Sequence, residues 1–200
     1  MSTNVNILLA QLKLYQEVKD DKLLLLSFGV YKKTLRLYIK SMDRVGFGNR
    51  KLVFTTGLVP MNSRLIGNAL LDLFKSKEEF DVGFKLYGAK YENDKRVENE
   101  RTLNCTIYIR KAKNKNGNLV NIIQIVTDLD VKYTFVLKPT PYIEIFENGE
   151  KVTDETRLSD IWTKAYAKNF NAALDLIPER FDEPTDSVSN SIDSDGNNIF

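Results

Sequence analysis

From Lys22 onward the apolar residues of this chain fall into short runs of period two, broken by two stripes of period 3.6, each of which follows a set of strands. Period two places alternate side chains on opposite faces, so each run fits a strand with one face toward a core. Lys22 to Tyr31 (KLLLLSFGVY) is a short apolar run with aromatic ends, suited to a buried strand. Lys32 to Lys40 (KKTLRLYIK) alternates strictly, with Leu35, Leu37 and Ile39 on one side and Thr34, Arg36, Tyr38 and Lys40 on the other. A turn-like stretch, Asp43 to Asn49, leads to a third strand at Lys51 to Leu58. Pro60, Asn62 and Ser63 mark a helix start, and Leu65, Ile66, Ala69, Leu70, Leu73 and Phe74 supply its apolar stripe. The plan then recurs. Strands are expected at Phe84 to Tyr91, Leu103 to Lys111, Val120 to Thr127, Val131 to Leu137 and Tyr142 to Phe146. A second helix is expected over Leu158 to Ile177, with Leu158, Ile161, Trp162, Ala165, Tyr166, Phe170, Ala173, Leu174 and Ile177 on its apolar side, stopped by Pro178. Val5 to Val18 reads equally as helix or strand. Strands followed by a helix, twice over, predict an α+β fold of two antiparallel sheets, each followed by a helix.

Composition removes several classes of function. Zero His leaves no Ser-His-Asp or Cys-His arrangement, no imidazole acid or base and no His metal ligand. A single Cys, Cys105, excludes an intramolecular disulfide and a Cys-rich zinc site, and its place on the apolar side of a strand makes it a small buried hydrophobe. The acid pairs Asp128/Asp130 and Asp20-Asp21 fall where turn chemistry explains them, so neither a metal nor a cofactor is expected. Neither a P-loop nor a dinucleotide fingerprint occurs. No apolar stretch approaches the ~20 residues of a membrane helix, and no basic segment leads into a cleavable apolar one. A soluble, cytoplasmic, non-enzymatic protein is the expectation.

Net charge is +2, but it is unevenly spread. Phe181 to Phe200 holds five acids (Asp182, Glu183, Asp186, Asp193 and Asp195) and no Lys or Arg, leaving 29 basic against 22 acidic residues, or +7, on Met1 to Arg180. Two parts are therefore expected: a binding body over 1–180 and a disordered acidic tail over 181–200. A basic body suits a polyanion. The tail ends in Ile199-Phe200, an apolar tip on an acidic tether that can enter a basic-rimmed pocket on another protein.

The non-core faces of the strands carry the most specific chemistry. One presents Lys32, Arg36, Tyr38 and Lys40; another presents Lys85, Tyr87 and Tyr91; a third presents Asn104, Thr106, Tyr108 and Arg110, with Leu103 and Cys105 turned inward. Aromatic faces on which unpaired bases stack, interleaved with cations that follow phosphates, are what single-strand binding needs. Tyr, Thr and Lys are also common on any solvated sheet, so the weight rests on three strands sharing the pattern. Two loops add cations: Arg44, Arg50 and Lys51 around Gly46-Phe47-Gly48, where the aromatic Phe47 can swing onto a base, and Lys111, Lys113 and Lys115 before Gly117.

The tail ending DSDGNNIF resembles those of bacterial and phage single-stranded-DNA-binding proteins, in which acids precede a short hydrophobic tip with a terminal Phe. By that resemblance, Asp193, Asp195, Ile199 and Phe200 would recruit replication or recombination enzymes. The doubled strands-then-helix plan over Lys22 to Ile177 is similar to the Whirly and positive-cofactor-four group, which binds single strands across antiparallel sheets backed by helices. The resemblance implies a Whirly-like, homo-oligomeric protein of phage or mobile-element replication that coats single-stranded DNA in the host cytoplasm. An RNA-binding or transcription-modulating protein on the same scaffold, and a structural or assembly protein whose faces are subunit contacts, are the alternatives.

Overall fold

The computed structural model describes residues 2–18, 22–31, 34–43, 50–93 and 95–177. The N-terminal piece is both helix and strand: α1 (Ser2–Ala10), then β1 (Leu14–Glu17). β2 (Lys22–Tyr31), β3 (Thr34–Asp43) and β4 (Lys51–Leu58) complete a four-stranded antiparallel meander, sheet A, in the order β1-β2-β3-β4. Helix α2 (Pro60–Leu73) follows, with Pro near its first position, where no backbone N–H is missed. A second meander, sheet B, runs β5 (Phe80–Glu92), β6 (Lys95–Lys113), β7 (Leu119–Thr127) and β8 (Lys132–Val136). A two-strand turn of β9 (Phe146–Glu147) and β10 (Glu150–Lys151) precedes α3 (Glu155–Leu176), which Asp154 caps by accepting the Arg157 N–H at 2.6 Å. The architecture is α+β, with two four-stranded antiparallel sheets each followed by a helix. No helix among the described residues is long and apolar enough to cross a membrane.

One core serves both sheets. Leu35, Leu37 and Ile39 of β3, Cys105, Ile107 and Ile109 of β6, and Ile123 and Ile125 of β7 join Leu70, Leu73, Phe170 and Leu174 of the helices. The helices cross closely at Gly67, where an added Cβ would meet Asn171 Oδ1 at 2.5 Å and where Asn171 Nδ2 donates to the Gly67 carbonyl at 3.1 Å. The sheets meet along β1 and β8, where Gln16 Oε1 accepts the Thr134 N–H at 3.0 Å.

Four expectations need correction. Of Tyr142 to Phe146 only Phe146 enters a strand, Tyr142 being turn and Ile143 to Ile145 irregular; Pro139 and Pro141 just before it remove backbone donors. The first half of α3 buries Ser159 and Thr163 rather than Leu158, Ile161 and Ala165. Those hydroxyls belong to a polar network: Ser159 Oγ accepts the Asn121 N–H at 2.9 Å, and Asn121 Nδ2 donates to Asp160 at 2.8 Å and Thr163 at 2.9 Å. Lys111 is not a loop cation. Its side chain is 1% exposed, and Nζ donates to Asp160 Oδ1 at 2.8 Å and the Ser76 carbonyl at 2.6 Å. Leu103 leaves the inward row, because a register shift sets Leu86 opposite Cys105 but Tyr87 opposite Leu103.

Candidate nucleic-acid interface

Burying one side of β3 and β6 forces the other side outward. On β3 that side carries Arg36, Tyr38 and Lys40; on β6 it carries Thr106, Tyr108 and Arg110. Both strands read Tyr-Ile-cation, and in both a glycine of the preceding strand lies under the tyrosine ring. A Cβ on Gly29 would stand 3.2 Å from Tyr38 Cε2, and one on Gly83 would stand 2.8 Å from Tyr108 Cε1. At Gly83 a Cβ would collide with the ring, and at Gly29 it would press on it, so both rings pack closely over the glycine of the neighbouring strand. The cation two residues on then covers it: Lys40 Nζ is 5.4 Å from the Tyr38 centroid, and the Arg110 guanidinium is 4.1 Å from that of Tyr108.

Two further pairs extend the surface. Arg36 stacks on Tyr31 at 5.0 Å, and Arg101 on Tyr87 at 5.1 Å. Arg101 escapes a reading by alternation because it lies beyond the register shift at Asn104, in the part of β6 that outruns its pairing with β7 and forms an arm with the end of β5. Tyr87 is 49% and Tyr91 64% exposed, Tyr91 sitting on that arm. On this arm Lys90 bridges Glu92 at 2.8 Å and Glu100 at 2.7 Å, and the Glu100 hydrogen bond raises the ammonium pKa above its ordinary value.

The expected residues do not all act alike. Arg110 is pinned: Nε donates to Asp81 Oδ1 at 2.9 Å and an Nη to Gln124 Oε1 at 2.7 Å. It offers a fixed guanidinium plane on Tyr108, against which a base can stack, rather than a mobile partner for phosphate. Register sets Gly83, Tyr108, Gln124 and Thr134 in one transverse row, with Lys85, Thr106, Val126 and Lys132 in the next. Lys85, Arg50, Lys51 and Lys113 are exposed and make no ion pair among the described residues, so they are the cations open to phosphate. Lys113 stands at the far end of β6, apart from the tyrosines. Lys32, Arg44, Phe47, Asp193, Asp195, Ile199 and Phe200 lie outside the described residues.

Between the sheets, Arg36 and Phe54 to Gly57 face Asn104 and Asp128 across a cleft of about 370 Å³. Cys105 is buried nearby, its thiol pushed up to about 12 by burial and by the Asp128 charge, which leaves it protonated and unreactive at neutral pH. Among the described residues no cluster of acids and Cys could hold a metal ion. Comparison of the chain with protein-family models, with curated proteins and with solved structures returned no match.

Proposed function

We propose that this chain is a single-stranded-DNA-binding protein that coats exposed strands and recruits replication or recombination enzymes through its acidic tail. The observation that carries the reading is the repeated station of a tyrosine lying on a glycine beneath a cation, once on each sheet. Aromatic and guanidinium planes accept any unpaired base, while a duplex hides its base faces within the stack. Lys85, Arg50 and Lys51 supply phosphate contacts around these planes. Resemblance to the Whirly and positive-cofactor-four group supports the use of sheet faces, and resemblance to acidic single-strand-binding tails supports recruitment by Asp193, Asp195, Ile199 and Phe200. The protein acts by binding, in keeping with a composition that lacks His.

The test is a titration with oligo-dT, oligo-U and duplex DNA at two salt concentrations. Tight oligo-dT binding with weak duplex binding is expected, and its affinity should fall with salt by ~0.7 in the log–log slope for each phosphate neutralised. Preference for oligo-U would move the protein to RNA binding. Absence of binding to all three would make the tyrosine faces assembly surfaces and overturn the reading.

A further inference from the structure

We infer that the pocket at the start of α3 is a docking site for this chain's own tail tip, Ile199-Phe200. The docking itself stands on the body alone; its consequence, that a docked tip is withheld from partners, rests on the recruitment reading. The pocket forms where β8 ends and the chain crosses through Lys138 to Pro141 into the β9–β10 turn, which the Val152 N–H closes onto the Ile145 carbonyl at 2.8 Å. Between this turn, the end of sheet B and the first turn of α3 lies a space of about 440 Å³, within the range of ligand sites. Val120, Val136, Ile143, Ile145, Val152 and Leu158 line it. Leu158 is thus accounted for: it leaves the core row of α3 to form a wall here.

The lining calls for hydrocarbon. All six of these residues except Val120 stay partly exposed, and Tyr142 (94%) and Phe146 (58%) stand exposed on the same turn. Contiguous apolar surface of this kind marks a contact. The polar groups in the wall are already engaged. Ser159 Oγ donates to the Leu137 carbonyl at 2.8 Å, and Asn114 Nδ2 donates to Glu155 at 2.5 Å. An Ile-Phe tip asks for no hydrogen bond from them.

The rim calls for acids. Lys138 lines the pocket, Lys113 and Lys115 flank Asn114 of its wall, and none of the three makes an ion pair among the described residues. Lys113 is also the exposed cation that stands apart from the tyrosines. Lys151 is taken by Glu144. Glu155 opposes the lysines, its carboxyl held below the usual range by hydrogen bonds from Asn118 and Asn114. Asp193 and Asp195 precede Ile199 by six and four residues, close enough to meet the rim when the tip is seated. The tether reaches. Helix α3, 22 residues long, sets the pocket about 33 Å from Ile177, whereas the 22 residues from Pro178 to Ile199 can span up to about 75 Å. Attachment to the same body gives this tip a local concentration that the tip of a second copy lacks.

The experiment places a nitroxide on Asn198→Cys in the full chain and reads amide NMR intensities; Cys105 is buried and escapes the label. Signals of Ile143, Ile145, Val152 and Leu158 should lose most of their intensity, while those of Arg36, Tyr38 and Lys85 keep theirs. Replacing the tip (Ile199→Ser with Phe200→Ser), which lies beyond α3 and leaves the core untouched, should restore the pocket signals. Lys138→Glu should restore them in part. Pocket signals that stay sharp in the native tip, or broadening that survives loss of the tip, overturn the proposal. Mixing spin-labelled chain with isotope-labelled chain that carries no nitroxide should give no broadening; broadening of equal strength there would make the occupant a second copy and overturn docking in the same chain. Neither DNA nor a partner enters this measurement, so its failure leaves single-strand binding and recruitment standing, and their failure leaves the docking standing.

Discussion

Gly83→Ala tests whether the tyrosine station is built as described. The new methyl would stand 2.8 Å from Tyr108 Cε1 and 3.0 Å from Cδ1. Carbon atoms prefer ~3.5–4.0 Å, so the ring must move by roughly 0.7 Å or more. It cannot rise freely, because Arg110 lies 4.1 Å above it and is tied to Asp81 at 2.9 Å and Gln124 at 2.7 Å. Overpacking of this kind costs ~1–3 kcal/mol, partly offset by the ~0.4–1 kcal/mol that losing a glycine removes from the unfolded chain's freedom. The net expectation is a loss of about 1 kcal/mol, or a Tm lower by ~2–4 °C for a chain of this size. Gly57→Ala is the control. Its Cβ would meet only Thr34 Cγ2 at 3.9 Å, so the entropic gain acts without a collision and stability should rise by ~0.4–1 kcal/mol. Urea denaturation reads both as shifts in midpoint at constant slope. Oligo-dT affinity should also fall for Gly83→Ala, which displaces the Tyr108 ring. If the two glycines respond alike, the packing of Tyr108 on Gly83 does not govern the site.

Lys111→Ala strips the partner from Asp160 and should destabilise by ~3 kcal/mol, the low end for a broken buried pair because Asp160 keeps its hydrogen bond from Asn121. Lys111→Met, which retains the stem, should cost less in the same urea assay. Cys105 holds its proton in the folded state from its ordinary value of 9.0 up to about 12, so folding binds a proton in that window. Stability should therefore be complete below pH 9 and decline as pH rises above it, a slope that Cys105→Ala removes between pH 9 and 10. Deleting Phe181 to Phe200 removes five acids, taking the chain from +2 to +7, and should tighten oligo-dT binding, most at low salt. Removing Ile199 and Phe200 alone should abolish partner capture and leave DNA affinity unchanged. Weaker DNA binding after full deletion would make the tail part of the site.

Alternation made most of the fold legible. β2 and β4 run over the expected residues, and Pro60 begins the helix it marks, because each element repeats one simple period against one core. Reading failed where geometry departs from the period. The bulge at Asn104 turned Leu103 away from the core, and the arm beyond it brought Arg101 to Tyr87, neither of which alternation can express. It failed again where polar residues were buried. Lys111 and Asn121 both donate to Asp160, and Asn121 also bonds Ser159 and Thr163, across elements far apart in sequence, so no local pattern announces them. At the site, the tyrosines and cations were readable from strand faces. What was missed is the glycine under each ring, although Gly29 and Gly83 each stand in the strand before a Tyr-Ile-cation triplet. A small residue inside a strand signals close approach, and the cross-strand register says to what.

Photo-crosslinking tests the central claim most directly. An oligo-dT carrying 5-iodouracil, irradiated in complex with the full chain and mapped by mass spectrometry, reports which side chains the bases touch. The account predicts adducts at Tyr38, Tyr87 and Tyr91 that disappear when unmodified oligo-dT competes, the Tyr108 ring being covered by Arg110. Adducts confined to other surfaces, with these three tyrosines unmodified in a saturated complex, would contradict it.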